Sequence, residues 1–169
     1  MQSLSIPIDS IDAFVFDFDG VLTNNLVHLD QDGREHVSCS RADGIAFDLL
    51  RKIQKPAYIL STEKNSVVSA RAKKLKVPVL QGVSNKLDSL NKLADKNGYD
   101  LKNIIYVGND LNDYSVMQSC GYTACPSDSH KEIKKISKIV LNTKGGHGVV
   151  RELLESVFDI DFIKILQDK

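Results

Sequence analysis

Short apolar runs alternate with amphipathic stretches along this chain. Phe14-Val15-Phe16, Ala57-Tyr58-Ile59-Leu60, Val79-Leu80, Ile104-Ile105-Tyr106-Val107, Tyr122-Thr123-Ala124 and Ile139-Val140-Leu141 are the apolar runs. Each is too short for a helix and is bounded by polar or turn-forming residues, which reads as a buried strand of a parallel sheet. Between the first two, Ala42, Ile45, Ala46, Leu49, Leu50 and Ile53 recur at helical spacing until Pro56 ends the pattern. Further helices are expected at about 66–75, from Lys86 with Leu87, Leu90, Leu93 and Ala94 on one side, around Val116 and Met117, at 131–136, and at 149 to about 158. Residues 26–29 and 34–38 flank Asp32-Gly33 and predict a β-hairpin. The alternation predicts an α/β fold, a Rossmann-like parallel sheet with helices on both faces plus a small hairpin flap.

The candidate chemistry lies where these runs end. Asp17 and Asp19 follow the first run, and Gly20 lets the backbone turn sharply. Two close carboxylates at a buried strand end repel each other and resist desolvation. A divalent cation with oxygen ligands is their simplest partner; solvated loop positions are the plainer alternative. The second run leads through Ser61-Thr62-Glu63-Lys64-Asn65 into a helix. Such a junction can hold an anion through backbone N–H groups and the helix dipole, or its hydroxyls can cap the helix. Lys86 opens another helix, where its charge opposes the dipole and hints at a bound anion, although a solvated lysine is commoner. Gly108-Asn109-Asp110-Leu111-Asn112-Asp113 is a polar turn dense in oxygen ligands. In open α/β sheets ligands bind beyond the strand C-terminal ends. Asp17, Asp19, Ser61, Asn109 and Asp110 all fall at such ends.

Composition narrows the classes. Lys plus Arg and Asp plus Glu are both 22, so the formal net charge is +0. Binding to nucleic acid or to a membrane surface is not expected without a basic excess. With 42% hydrophobic residues over 169 positions, residues 1–169 read as one domain with its own core. Cys39, Cys120 and Cys125 lack Cys-x-x-Cys spacing and read as reduced thiols of a cytoplasmic protein. The first five residues carry no leader pattern, and no apolar run approaches the roughly 20 residues of a membrane span. His28 and His36 have no third ligand nearby, so exposed hairpin positions explain them better than a metal site. The charge run 131–135 reads as a solvated helix face.

Asp17-Phe18-Asp19-Gly20-Val21-Leu22-Thr23 resembles the first motif of the haloacid dehalogenase superfamily of phosphohydrolases, Asp-x-Asp-Gly-x-x-Thr. Ser61, Lys86 and the 108–113 turn fall, in order, where that superfamily has its phosphate-binding hydroxyl, its lysine and its acidic metal motif. The resemblance implies Mg²⁺ as cofactor and a catalytic set of four. Asp17 would be the nucleophile that becomes an aspartyl phosphate, and Asp19 the general acid and base. Ser61 and Lys86 would offset phosphoryl charge. The metal would be held by Asp17, the backbone carbonyl of Asp19, and Asn109 or Asp110, with Asp113 orienting Lys86 or a metal-bound water. Asn109 stands where many members have aspartate, and one charge fewer predicts weaker Mg²⁺ binding.

The spacing from Asp19 to Ser61 and from Ser61 to Lys86 leaves no room for a cap domain. In this the chain is similar to the capless sugar-acid phosphatases that act on 3-deoxy-manno-octulosonate 8-phosphate or on nine-carbon ulosonate 9-phosphates. That resemblance implies a sugar-acid phosphate substrate and a homotetramer in which the hairpin and C-terminal segment help build a neighbour's site. Glu63 stands where the octulosonate enzymes usually have arginine, and together with Lys74 it favours a nonulosonate 9-phosphate. The octulosonate 8-phosphate, and a non-catalytic tetramerisation or regulatory module similar to those attached to sialate cytidylyltransferases, are the alternatives. Thr62, Glu63, Arg71 and Lys74 are the expected substrate-binding residues, with Arg71 and Lys74 on one helix face. Arg41 and His147 are candidates to act across a subunit boundary.

Overall fold

The computed structural model describes residues 6–167; the first five positions, read above as lacking a leader, lie outside them. Strands and helices follow in the order β1 (Ala13–Phe16), β2 (His28–Leu29), β3 (Glu35–His36), α1 (Arg41–Lys52), β4 (Ala57–Leu60), α2 (Ser66–Leu75), β5 (Val79–Leu80), α3 (Lys86–Asn97), β6 (Ile104–Val107), α4 (Tyr114–Ser119), β7 (Tyr122–Cys125), α5 (Lys131–Ile136), β8 (Ile139–Val140), α6 (Val149–Glu152) and α7 (Phe162–Gln167). Six strands form one sheet in the order β5-β4-β1-β6-β7-β8, and every neighbouring pair is parallel. The α/β fold read from the alternation is the one observed.

Helices cover both faces, as the unbroken apolar strands require. On one face Phe14, Phe16, Ile59, Ile105 and Val107 pack with side chains of α1, α2, α6 and α7. On the other, Val15, Leu60, Ile104 and Tyr106 pack with α3, α4 and α5. Phe16 meets Phe47, and Phe14 meets Phe158, edge-on at 5.3 Å between ring centroids. Fully burying such a side chain contributes about 1.5–3 kcal/mol. These contacts fix the position of β1 in the middle of the sheet.

The hairpin is shorter than its apolar pattern suggests. His28 pairs with His36 and Leu29 with Glu35, and one further bridge joins Thr23 to Cys39. Both histidines are exposed, with His36 Nε2 3.7 Å from Asp30. The C-terminal region also departs from the expected single helix at 149–158. α6 passes into a π-helical turn over Leu153–Val157, the backbone turns at Asp159 with φ 51°, and α7 follows. Burial explains the extra helix: Leu153, Leu154, Phe158 and Phe162 all join the core, and Arg151 stacks on the Phe162 ring at 4.3 Å. Among the described residues, no helix is long and apolar enough to cross a membrane.

Candidate active site

Three neighbouring strands deliver the polar groups. β1, β4 and β6 lie side by side, and just past each one the backbone makes one more sheet hydrogen bond before turning away. Asp17 N donates to Val107 O at 2.9 Å, Ser61 N to Leu80 O at 2.9 Å, and Gly108 N to Ala124 O at 3.2 Å. Asp17, Ser61 and Asn109 are therefore rooted in the sheet rather than carried on free loops. They line one cavity of about 290 Å³ together with Asp19, Asn25, Thr62, Asp110, Leu111 and Asn112.

Lys86 enters from the start of α3, where Asn85 caps the helix by accepting from Asp88 N at 3.2 Å. Its ammonium lies 2.7 Å from Asp17 Oδ1 and 2.7 Å from Asp113 Oδ1. The two carboxylates more than offset the unfavourable dipole at that helix end. Burial works against the ammonium, but Asp17 and Asp113 outweigh it and hold the Lys86 pKa above the ordinary lysine value. Burial pushes Asp17 well above the usual carboxylate range, Asp113 adds to this, and Lys86 pulls it back. Asp113 is locked by Tyr106, whose hydroxyl donates to Oδ1 at 2.9 Å, and by Asn109 N, which donates to Oδ2 at 2.9 Å.

Asp19 is half-buried on the turn after β1. Thr23 Oγ1 donates to its Oδ1 at 3.3 Å and accepts from Gly20 N at 3.2 Å and Asn25 N at 3.1 Å, closing the turn on itself. Burial raises the Asp19 carboxyl pKa, the Thr23 hydrogen bond lowers it, and the Glu63 charge raises it again. Gly20 has φ +77°, and a Cβ there would lie 1.9 Å from the Asn109 side chain. The turn after β1 and the turn after β6 thus pack too closely for any side chain at position 20.

The expected substrate-binding residues separate into two places. Thr62 lines the Asp17 cavity. Glu63 Oε1 accepts from Lys64 N at 2.6 Å and Asn65 N at 2.7 Å, so it shapes the turn into α2. Arg71 and Lys74 line a different cavity, of about 860 Å³, between the hairpin, α1 and α2, together with Arg41. Arg71 Nη2 donates to Ser40 O at 2.7 Å. His147 is exposed, with its Nδ1 2.6 Å from Gly145 O. Tyr106, Thr23 and Asn25 were missed as site residues. Tyr106 had a signal, because a tyrosine inside an aliphatic buried strand needs a hydrogen-bond partner. Thr23 ends the Asp-x-Asp-Gly-x-x-Thr pattern.

Among the described residues, no three His, Cys, Asp or Glu side chains cluster as a ready-made metal site. The donors present still suit a hard cation. Asn109 Oδ1 is buried without a hydrogen-bond partner among the described residues, and Asp113 adds its negative charge beside Asp17. Asp110 is exposed, and its Oδ1 accepts from Leu111 N at 2.7 Å.

Residues 50–153 match the haloacid dehalogenase-like hydrolase family, and the chain belongs to that family. The matched segment holds Ser61, Lys86 and Asp113 and begins after Asp17 and Asp19. Its relatives extend the likeness. The 3-deoxy-D-manno-octulosonate 8-phosphate phosphatase of Escherichia coli is 30% identical over 148 residues, 87% of this chain and 79% of that one. Among solved structures, a protein from Streptomyces avermitilis described as a haloacid dehalogenase family hydrolase has a TM-score of 0.91 and 36% identity, covering 96% of this chain and 99% of that one. An octulosonate 8-phosphate phosphatase from Moraxella catarrhalis, in complex with magnesium, phosphate and the sugar acid KDO, has a TM-score of 0.87 and 27% identity, covering 95% of each chain. The chain is a hydrolase of the phosphatase class.

Proposed function

We propose that this chain is a Mg²⁺-dependent phosphomonoesterase that hydrolyses a 2-keto-3-deoxy sugar-acid phosphate through an aspartyl phosphate on Asp17. The observation that carries the reading is the buried row Asp17–Lys86–Asp113, with 2.7 Å between each neighbouring pair, beside a cavity shared by Asp19, Ser61 and Asn109. The Moraxella catarrhalis relative, solved with magnesium, phosphate and a sugar acid, supports the same ligands here. Asp17, the Asp19 carbonyl and Asn109 would hold Mg²⁺, which when bound supplies the positive charge that lets a phosphate dianion approach a carboxylate. Asn109 suits this role better than Asp110, whose side chain caps a turn.

Asp17 Oδ1 is occupied by Phe18 N and Lys86 Nζ, both at 2.7 Å, which leaves Oδ2 to attack phosphorus. As the new P–O bond forms, the P–O bond to the sugar breaks, and Asp19 gives its proton to the leaving oxygen. A carboxyl with a raised pKa suits that donation. Asp19, now a carboxylate, takes a proton from water as that water attacks phosphorus, and phosphate leaves with Asp17 restored. Lys86 and the Ser61 hydroxyl offset charge on the phosphoryl oxygens.

The octulosonate relatives make the eight-carbon 8-phosphate the first substrate to test. Glu63, anionic beside Asp19 rather than cationic, favours the nine-carbon ulosonate 9-phosphate as the second reading. The exposed Leu26 and Val27, which lead into the hairpin, and Leu29 on it support a homotetramer, and three unpaired cysteines support a cytoplasmic location. Phosphate release from both substrates with Mg²⁺, compared between wild type and Asp17→Asn, tests the proposal. Release confined to the wild type is expected; equal release from both proteins overturns it and leaves the non-catalytic module.

A further inference from the structure

Asp43 lies in the first turn of α1, yet its carboxylate serves another helix. It is 1% exposed, and its Oδ1 accepts from Val150 N at 2.9 Å and Arg151 N at 3.2 Å. The N-cap of α6 is Gly148, which has no side chain to accept those donors. Asp43, more than a hundred residues away in sequence, fills that role. Its Oδ2 is buried with no hydrogen-bond partner, so among the described residues these two backbone groups supply the carboxylate's hydrogen bonds.

The loop leading into α6 is pinned at two further points. Asp128 Oδ1 accepts from Gly145 N at 2.9 Å, and Glu152 accepts from Asn142 N at 2.8 Å and Thr143 N at 2.7 Å. Thus held, the loop lies directly against the turn after β1. Gly146 N donates to Val21 O at 2.9 Å. A Cβ at position 145 would stand 2.2 Å from Gly20 O, and one at position 146 would stand 2.4 Å from Asn24 N. That turn carries Asp19 and the Thr23 hydroxyl that holds it.

We propose that Asp43 is a positioning residue for the reaction: it clamps the start of α6 so that the Gly145-Gly146 backbone braces the turn that aims Asp19. The claim rests on the reading of Asp19 as proton donor. Asp43 touches no reacting atom and acts through about 0.1 nm tolerances in a packed backbone, where a displacement of that size costs up to about 100-fold in rate.

The test compares Asp43→Ala, Asp43→Asn and Asp43→Glu with Mg²⁺ and octulosonate 8-phosphate, alongside ¹⁵N spectra of each protein. Asparagine keeps an acceptor in place, alanine removes it, and glutamate displaces it by one methylene. Asp43→Ala is expected to lower kcat about 10- to 100-fold with KM within about threefold, and to shift the Gly20, Thr23 and Asn25 amide resonances. Asp43→Asn is expected to restore both. If the alanine protein does not fold, the Asn and Glu pair decides: near-wild-type kcat for Asn with a reduced kcat for Glu supports the clamp. Wild-type kcat in a folded Ala or Glu protein, equal loss in Asn and Ala, or spectral changes confined to Val150 and Arg151 overturn it. Should the wild type release no phosphate, the phosphatase reading fails. The Gly20 and Asn25 amides then decide the clamp alone, movement in Asp43→Ala supporting it and stillness overturning it.

Discussion

The Lys86 ammonium sits 2.7 Å from the Asp17 carboxylate with both side chains nearly sealed from water, at 2% and 6% exposure. A pair this buried is held by what surrounds it. Asp113 on the far side of Lys86 and Tyr106 behind Asp113 complete a row of four side chains.

Lys86→Ala is expected to destabilise the metal-free protein by about 3–5 kcal/mol, because it leaves two buried carboxylates without their cation. Removal of Arg34, whose exposed guanidinium lies 3.8 Å from Asp32, should change stability by less than about 1 kcal/mol. Urea titrations of the two variants check the contrast, and similar losses from both would contradict it.

Tyr106→Phe removes the hydroxyl that donates to Asp113 at 2.9 Å while keeping the ring in the core. Asp113 Oδ1 retains Lys86, so the expected cost is about 1–2 kcal/mol. For a chain of this size that lowers Tm by a few degrees. Calorimetry that shows an unchanged Tm would separate Tyr106 from the row.

Burial lifts the Asp43 carboxyl from 3.8 to about 6, against the pull of the Arg151 and Val150 amides and of Arg71. The folded state therefore binds this proton more tightly than the unfolded chain. The stabilisation is complete below about pH 4 and is lost as pH rises through about 6. The stability of the wild type minus that of Asp43→Asn should fall by about 2 kcal/mol between pH 4.5 and 7.5. Parallel pH profiles for the two proteins would show that Asp43 does not titrate in this window.

Asn109→Asp places a carboxylate where Asn109 Oδ1 is buried and has no hydrogen-bond partner among the described residues. The Mg²⁺ concentration for half-maximal phosphate release should fall several-fold, since ligand charge tunes the affinity of hard-cation sites. An unchanged requirement would point to Asp110 instead.

The parts of the molecule that were legible in the sequence are those fixed by local pattern. The runs around Phe14, Ile59 and Ile105 announce a parallel sheet because both faces are covered, and Asp17, Ser61 and Asn109 stand out as polar residues at their ends. The Asp43 hydrogen bonds to the start of α6 were hidden, since an acid in the first turn of a helix already has an explanation in the dipole, and its partners are far along the chain. The break between α6 and α7 was hidden for another reason: Asp159 takes a left-handed conformation without a glycine or proline to mark it. Helical spacing did put Arg71 and Lys74 on one face, but spacing does not say which neighbour that face meets, and here it meets the hairpin side.

The order β5-β4-β1-β6-β7-β8 puts every strand that ends in a catalytic candidate at the middle of the sheet. The margins, β5 and β8, are two residues long and each joins the rest along one side only. A change of length or composition in those outer strands therefore disturbs one neighbour at most. The same freedom is denied to the central trio, where a slip of one residue would turn its polar termini away from each other.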